Sequence, residues 1–248
     1  MPDSIARLID HSLLQPTMTD AELRAGCEVG KKYGVASVCI KPYAVPLAAE
    51  ILAGSNVKVC TVIGFPHGSN QPEVKAFEAD LACRQGASEL DMVVNIGKVL
   101  SGDWAYVQRD IQAVVDVAHR HGAITKVIFE NDFLPSDDQK IRLCQICESV
   151  GAEFVKTSTG FGFVKQPDGN YNYKGATEAD LKLMRASCGP QVQVKAAGGV
   201  RTYPEAVKVR DLGVSRIGAS ATEAIVAGER AARGEATPAT QVTQPAGY

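Results

Sequence analysis

The chain has 248 residues, 45% of them hydrophobic and 22% charged, with a formal net charge of −2. These values are typical of a globular protein with a sizeable core and argue against disorder. A net charge of −2 does not indicate the basic face that binding of nucleic acid or an anionic membrane would need, so we expect neither as a partner. No apolar run approaches the roughly 20 residues of a membrane span, and the first residues do not have the pattern of a signal peptide.

The seven cysteines are scattered through apolar segments. An odd number of thiols in this arrangement is typical of reduced, buried side chains, so we expect a cytoplasmic protein. Cys144 and Cys147 form a C-x-x-C motif, but it lies within a helical pattern, and no second Cys or His pair nearby completes a zinc site. We interpret these two as core residues one helical turn apart, and we expect no metal.

Short apolar runs with strand character alternate with helical patterns along the chain. The predicted strands are 8–11, 35–40, 58–64, 89–95, 124–130, 154–159, 193–198 and 216–220. Helix signals, with a cap residue before and a glycine after, cover about 70–85, 104–121, 136–150, 177–184 and 203–212. The unit repeats about every 30 residues, as βα units do. This pattern predicts an α/β fold of the (β/α)₈ barrel type, with an open doubly wound sheet as the alternative.

Composition divides the chain into one domain and a tail. No linker interrupts residues 1–227, which we predict to form a single barrel domain, whereas 228–248 are rich in Ala, Thr, Gln, Gly and Pro and are typical of a flexible end. Residues 163–175 form a polar insertion around a Pro-Asp-Gly turn signal.

The alternation of side chains along a strand predicts which residues point into the barrel. In the fourth strand it places Asp91 inward, and in four other strands it places a lysine inward: Lys41, Lys126, Lys156 and Lys195. Lysine is depleted in strands and is almost never buried without a partner. Any one of these lysines could lie on an edge strand or a solvated face, but four together indicate a functional cluster.

Such a cluster favours amine chemistry. Desolvation and like charges would lower the pKa of at least one lysine. A neutral amine is what carbonyl attack to form a Schiff base requires.

One glycine-rich segment follows the seventh predicted strand, and another ends the eighth. They contain Gly198 and Gly199, and Gly218 with Ser220. Phosphate is held at these two positions in many barrels, by backbone N–H groups and a helix N-terminus. Together they predict a phosphate site.

Eight segments, taken in order, resemble the deoxyribose-phosphate aldolase family. They are LIDHSLLQP, SVCIKPY, TVIGFPHG, ELDMVVNIG, KVIFE, EFVKTSTGF, VKAAGGVR and RIGAS. The resemblance runs from about residue 8 to residue 220, and KTSTGF followed by KAAGGVR is highly specific. It implies a class I (Schiff-base) aldolase that reversibly cleaves 2-deoxy-D-ribose 5-phosphate to D-glyceraldehyde 3-phosphate and acetaldehyde, with no metal or other cofactor.

The resemblance also implies residue roles. Lys156 would form the Schiff base, Lys195 would stay charged and perturb it, and Asp91 would relay protons with Lys195 through a water. Asp10 and Lys126 match a supporting ion pair, and Cys39 is taken with them as a supporting residue. The positions matching the family's phosphate site are Gly160, Gly198, Gly199, Gly218 and Ser220.

The final Tyr248 resembles a C-terminal tyrosine that, in some members, reaches back to the site as a proton donor. The other interpretation is a chain end without a role.

Some positions depart from the family pattern. Phe161 stands where some members place a phosphate-binding lysine, Lys41 stands where an uncharged residue is common, and the insertion 163–175 is longer than usual. These differences bear on phosphate affinity and substrate preference.

Other functions stay open at this point. They are another Schiff-base barrel aldolase, a transaldolase, or a sugar-phosphate-binding barrel without catalysis. A metal-dependent aldolase is disfavoured because the four histidines show no ligand spacing across strands. The sequence leaves open whether the chain forms a homodimer or a homotetramer.

Overall fold

The computed structural model describes residues 4–235. Eight parallel strands close into a barrel in chain order, and the ring closes where Ile9 on the first strand lies opposite Ile217 on the last. The barrel strands are β1 (Ile9–Leu13), β2 (Ser37–Ile40), β3 (Lys58–Ile63), β4 (Glu89–Val93), β5 (Ile124–Ile128), β6 (Phe154–Lys156), β9 (Gln193–Ala197) and β10 (Arg216–Ala219). The predicted (β/α)₈ barrel is confirmed, and the open sheet is excluded.

Helices surround the barrel and connect its strands. They are α1 (Asp20–Tyr33), α2 (Val45–Leu52), α3 (Pro72–Arg84), α4 (Ile96–Leu100), α5 (Trp104–Arg120), α6 (Asp137–Val150), α7 (Glu178–Ser187), α8 (Tyr203–Asp211) and α9 (Thr222–Ala232). Local signals explain several of their starts. The hydroxyl of Thr177 accepts the N–H of Asp180 at α7, and Thr202 with Glu205 forms a capping box at α8. None of the described helices is long and apolar enough to cross a membrane.

The two faces of each strand have different surroundings. Leu90 and Met92 of β4 are fully buried in the large apolar core between strands and helices. Asp91, between them, is equally buried but points into the barrel interior, where it meets lysines from other strands. The predicted alternation along β4 is therefore confirmed.

Lys41 does not join the interior lysines, and its predicted inward placement is wrong. Strand β2 ends at Ile40, and Pro42 begins a short 3₁₀ turn, so the alternation of the strand stops before Lys41. Its Nζ instead donates to the main-chain oxygens of Gln15 and Met18, at 3.0 and 3.1 Å.

The insertion folds as a hairpin of β7 (Val164–Lys165) and β8 (Tyr171–Asn172). At its tip the carboxylate of Asp168 accepts the N–H of Asn170 at 2.9 Å, as the turn signal predicts. The hairpin is held near the barrel by Asp132, whose carboxylate accepts the N–H groups of Lys174 and Gly175.

The predicted boundary between residues 227 and 228 falls inside α9, which continues to Ala232. By composition residues 228–232 resemble a flexible tail, but the alanines among them favour a helix. Glu229 is buried there and accepts the Ser4 hydroxyl at 2.6 Å and the Ile5 N–H at 3.0 Å. We call this contact the end latch. Tyr248 lies outside the described residues.

Candidate active site

Three lysine ammonium groups converge on Asp91. Its Oδ2 lies 2.7 Å from the Nζ atoms of both Lys156 and Lys195, and its Oδ1 lies 2.9 Å from the Nζ of Lys126. Strand register explains the convergence, because Asp91 pairs with Lys126 across β4 and β5, and Lys156 pairs with Lys195 across β6 and β9. All four side chains are buried.

Asp10 on β1 supports this group from the other side of the barrel. Its Oδ2 lies 2.5 Å from Lys195 Nζ and 3.3 Å from Lys126 Nζ. Its Oδ1 accepts Ser37 Oγ and contacts Arg216, both at 2.7 Å. The ion pair expected between Asp10 and Lys126 is present, but the closer partner of Asp10 is Lys195.

Glu89 and Arg216 complete the charged interior. The guanidinium of Arg216 donates to both carboxylate oxygens of Glu89, at 2.8 and 2.9 Å, across the barrel from β10 to β4. Glu89 also lies 2.7 Å from Lys126 Nζ. A bidentate pair of this kind adds geometric specificity as well as energy. We call these charged side chains, with Asp10, Asp91 and the three lysines, the interior ion cluster.

The cluster favours the charged forms of Asp91, Lys126 and Lys195. Burial opposes the charge on Asp91, yet Lys126, Lys156 and Lys195 outweigh it and keep the pKa of Asp91 well below its ordinary value. Burial likewise opposes the charge on Lys195, but Asp10 and Asp91 raise its pKa above the ordinary value. The same balance raises the pKa of Lys126. These raised pKa values favour the cationic forms of Lys126 and Lys195.

A pocket lies directly above the cluster, at the carboxyl ends of the strands. It is lined by Ser12, Leu14, Lys156, Thr159, Gly160, Phe161, Tyr173, Ala197, Gly198, Gly199, Val200, Arg201, Gly218, Ala219 and Ser220. This is the end of a (β/α)₈ barrel at which active sites are found. All five positions predicted to bind phosphate line the pocket together with Lys156.

The loop after Lys156 is held by Glu130. The Glu130 carboxylate accepts the N–H of Thr159 at 3.1 Å and also its hydroxyl. Glu130 itself has a positive φ of 58°. Residues other than glycine rarely adopt this backbone conformation, and those that do often lie at functional sites. A Cβ added at Gly162 would come within 2.5 Å of the same carboxyl, so any other residue there would have to displace the Glu130 side chain.

The remaining predicted residue, Cys39, is buried in the barrel interior. It packs in a small apolar group with Leu14, Cys60 and Val62, and Phe161 covers this group from the pocket side. Cys39 is not among the residues that line the pocket.

Sequence analysis missed several residues of the site. Arg216 follows the same alternation as Gly218 on β10 and could have been placed inward on that signal. Tyr173 could not, because it reaches the pocket only through the hairpin, whose path over the barrel no local pattern specifies. Thr159 and Glu130 meet only because β5 and β6 are neighbours.

The fold and the site define a (β/α)₈ barrel of the lysine-dependent aldolase class. Residues 5–221 match the DeoC/LacD family of aldolases, to which the chain therefore belongs. The deoxyribose-phosphate aldolase of Rhodopirellula baltica is 48% identical over 239 residues, covering 96% of this chain and 94% of that protein. That of Clostridium perfringens is 48% identical over 225 residues, covering 91% and 95%.

A solved structure shows the same likeness. The deoxyribose phosphate aldolase of Aeropyrum pernix, described as a tetramer, superposes with a TM-score of 0.80 at 30% identity. The match covers 92% of this chain and 91% of that one.

Proposed function

We propose that this chain is a class I aldolase that reversibly cleaves 2-deoxy-D-ribose 5-phosphate to D-glyceraldehyde 3-phosphate and acetaldehyde. One observation carries the proposal. Of the three lysines that contact Asp91, Lys156 alone lines the pocket. Relatives at 48% identity that bear the name deoxyribose-phosphate aldolase support the choice of substrate.

Lys156 is the proposed nucleophile. Its Nζ attacks the C1 aldehyde of the sugar phosphate, and loss of water from the carbinolamine gives the imine. The imine then draws electrons from the C2–C3 bond, which breaks as the C3 hydroxyl loses its proton, and glyceraldehyde 3-phosphate leaves. Protonation of the resulting enamine at C2 and addition of water release acetaldehyde and the free amine.

Asp91 and Lys195 are the proposed proton-handling pair. Asp91 Oδ2 contacts both Lys156 Nζ and Lys195 Nζ at 2.7 Å, which is within the reach of proton transfer, directly or through a water. Lys195, held by Asp10 and Asp91, supplies fixed positive charge beside the imine nitrogen. Tyr248 keeps the role of a candidate proton donor that the resemblance gives it.

The phosphate group would lie on the loops after β9 and β10. Gly198, Gly199, Gly218 and Ser220 offer backbone N–H groups there, and Gly160 lies across the pocket. Helix α9 starts just after Ser220 and has no side-chain cap, which leaves N–H groups of its first turn for an anion. Arg201 lines the same pocket, whereas Lys165 and Lys174 of the hairpin are exposed and do not line it.

We further propose a cytoplasmic homodimer or homotetramer. All seven cysteines are free thiols, which suits a reducing compartment. Helix α3 exposes Val74, Phe77 and Leu81 on one face, a stripe that subunit contact would cover. Sedimentation of the full chain as a monomer would contradict the assembly.

Hydride trapping tests the nucleophile. Borohydride added with acetaldehyde should leave one ethyl adduct per chain, mapping to the peptide that contains Lys156. Lys156→Ala should lose both the adduct and turnover, whereas Lys165→Ala, which removes an exposed hairpin lysine, should keep both. An adduct on Lys195 or Lys126 would contradict the assignment. Trapping with a ketose phosphate but not with acetaldehyde would instead favour a transaldolase or another Schiff-base aldolase.

A further inference from the structure

Two buried thiols lie beside Asp91, and one of them contacts Oδ1, whereas Lys156 and Lys195 contact Oδ2. Cys39 on β2 and Cys60 on β3 are register partners in neighbouring strands, and both are fully buried. Their sulfur atoms and a carboxylate oxygen of Asp91 all lie within 4.8 Å of one another. The Cys60 thiol donates to Asp91 Oδ1 at 3.2 Å. We call Cys39 and Cys60 the thiol pair.

We propose that the thiol pair and Asp91 form a binding site for a thiophilic divalent cation such as Zn²⁺ or Cd²⁺, and that occupancy of this site inhibits the enzyme. Cysteine thiolates and aspartate carboxylates both bind Zn²⁺, and thiolates select soft cations of this kind. In a tetrahedral site with Zn–S bonds of about 2.3 Å, two sulfur ligands lie about 3.8 Å apart. The two sulfur atoms lie within 4.8 Å of one another, so they need to approach by about 1 Å or less to reach this geometry.

The exchange is balanced in charge. Binding replaces the two thiol protons by one dication, so two S–H bonds break, two sulfur–metal bonds form, and two protons leave for solvent. The thiol pair with its bound cation is therefore neutral, as the two thiols were, and the net charge of the barrel interior does not change. The cation therefore does not add charge to an interior that already contains four cationic side chains.

No other group in the described part of the chain offers such a ligand set. Among residues 4–235, Cys39, Cys60 and Asp91 form the one group of three or more His, Cys, Asp or Glu side chains with donor atoms this close together. Cys144, Cys147 and Cys188 also lie near one another, since Cys188 contacts Cys144 and influences Cys147, but they do not form such a group.

The route to the thiol pair passes through the pocket. Cys39 and Cys60 pack beneath Leu14 and Phe161, and both of these side chains line the pocket above. A cation would enter through the opening that the substrate uses. Once bound to Oδ1 of Asp91, it would take the place of the Cys60 proton and compete with Lys126 for the same oxygen. Asp91 would then be less able to exchange protons with Lys156 and Lys195.

Cadmium titration of the full chain tests the proposal directly. One equivalent of Cd²⁺ should produce a thiolate-to-cadmium charge-transfer band and release about two protons in weak buffer. Cys39→Ser and Cys60→Ser should each weaken binding by about tenfold or more. Cys144→Ser, which removes a buried thiol elsewhere, is the matched control and should bind normally. Wild-type activity should fall with occupancy and return with a chelator.

Three results would overturn the proposal. They are the absence of the band in the wild type, a band that survives in Cys39→Ser but is lost in Cys144→Ser, and full activity at saturating Cd²⁺. Cadmium NMR of the wild type counts sulfur ligands without any variant, so misfolding of the serine variants would not hide the answer; a site with other than two sulfurs contradicts it. The charge-transfer band is measured without substrate. Its absence can therefore be distinguished from a failure of imine trapping at Lys156.

Discussion

In the proposed mechanism the carboxylate of Asp91 has two tasks. It balances the charge of three lysines, and it lies close enough to Lys156 and Lys195 to exchange protons with both. Removing one partner of a buried ion pair leaves an uncompensated charge and costs several kcal/mol. An effect of substitution on rate must therefore be separated from an effect on folding.

Asp91→Asn should lower kcat by about 10²–10⁴, the usual range for a general acid–base group. The amide has nearly the same shape but cannot accept a proton in the same way. Steady-state kinetics at saturating substrate measure the effect, and far-ultraviolet circular dichroism checks the fold. Asp168→Asn, at the exposed tip of the hairpin, is the control and should behave as wild type. A loss of less than about threefold would show that Asp91 is structural.

His11 gives the protein a pH-dependent contribution to stability. It is buried on β1 with Nδ1 2.8 Å from the Thr222 hydroxyl, and burial lowers its pKa from 6.5 to about 4. Between these two values the unfolded chain binds a proton that the folded protein does not. The contribution of His11 to stability should therefore be complete above pH 6.5 and should fall as the pH drops towards 4, by about 1.4 kcal/mol per pH unit.

Urea unfolding at about pH 7.5 and about pH 5 should expose this contribution, which amounts to about 2 kcal/mol over that interval. His11→Gln removes the titrating group. The free energy of unfolding of this variant should therefore fall less between the two pH values, by that amount. His67→Gln, at an exposed histidine, should lose as much as the wild type. Equal losses in wild type and His11→Gln would refute the linkage.

At the scale of elements, periodicity predicted the barrel strands and five of the helices well. The five helix boundaries differ from the structure by at most three residues. Helix α1 was not predicted because its apolar face is narrow, with Leu23, Cys27 and Gly30 as its buried residues. The capping box of Thr19 and Glu22 was the available signal. This signal would have predicted the start of α1 and completed the first βα unit.

The site was predictable where it depends on strand alternation. Asp91, Lys126, Lys156 and Lys195 follow from that rule, since each lies within a regular strand. Lys41 was misplaced because the rule was carried past the end of β2. The role of Arg216 was hidden, because its partner Glu89 is 127 residues away and only closure of the barrel brings the two together.

The loop after β9 should decide phosphate recognition. Gly199 has a φ of 93°, and a Cβ added there would meet nothing within 4 Å, so Gly199→Ala acts through backbone strain. We expect the ratio of kcat/KM for deoxyribose 5-phosphate over deoxyribose to fall about tenfold, as one charged hydrogen bond is lost. Gly34→Ala imposes a similar strain at the end of α1, where a Cβ also meets nothing, and should leave the ratio unchanged. An unchanged ratio in Gly199→Ala would place the phosphate elsewhere.

At the scale of the whole molecule, the two ends of the described chain meet. Strand β1 pairs with β10, and the end latch ties Glu229 of α9 to Ser4 and Ile5. The interior ion cluster takes side chains from β1, β4, β5, β6, β9 and β10. No short stretch of the chain therefore contains the site, and contacts of such long range are formed slowly during folding.

The members of the interior ion cluster are also divided by sign along the chain. Its carboxylates, Asp10, Glu89 and Asp91, all come from β1 and β4, whereas Lys126, Lys156, Lys195 and Arg216 all follow α5. A cut at the exposed Gly122 would thus yield two half-barrels of four barrel strands each, one with only acids in its interior and the other with an excess of bases. Each half alone would bury unpaired charge and should not fold. When the two fragments are mixed, they should associate and regain aldolase activity, at a rate that falls as the salt concentration rises. A half-barrel that folds as a monomer would show that the unpaired charges do not prevent each half from folding alone.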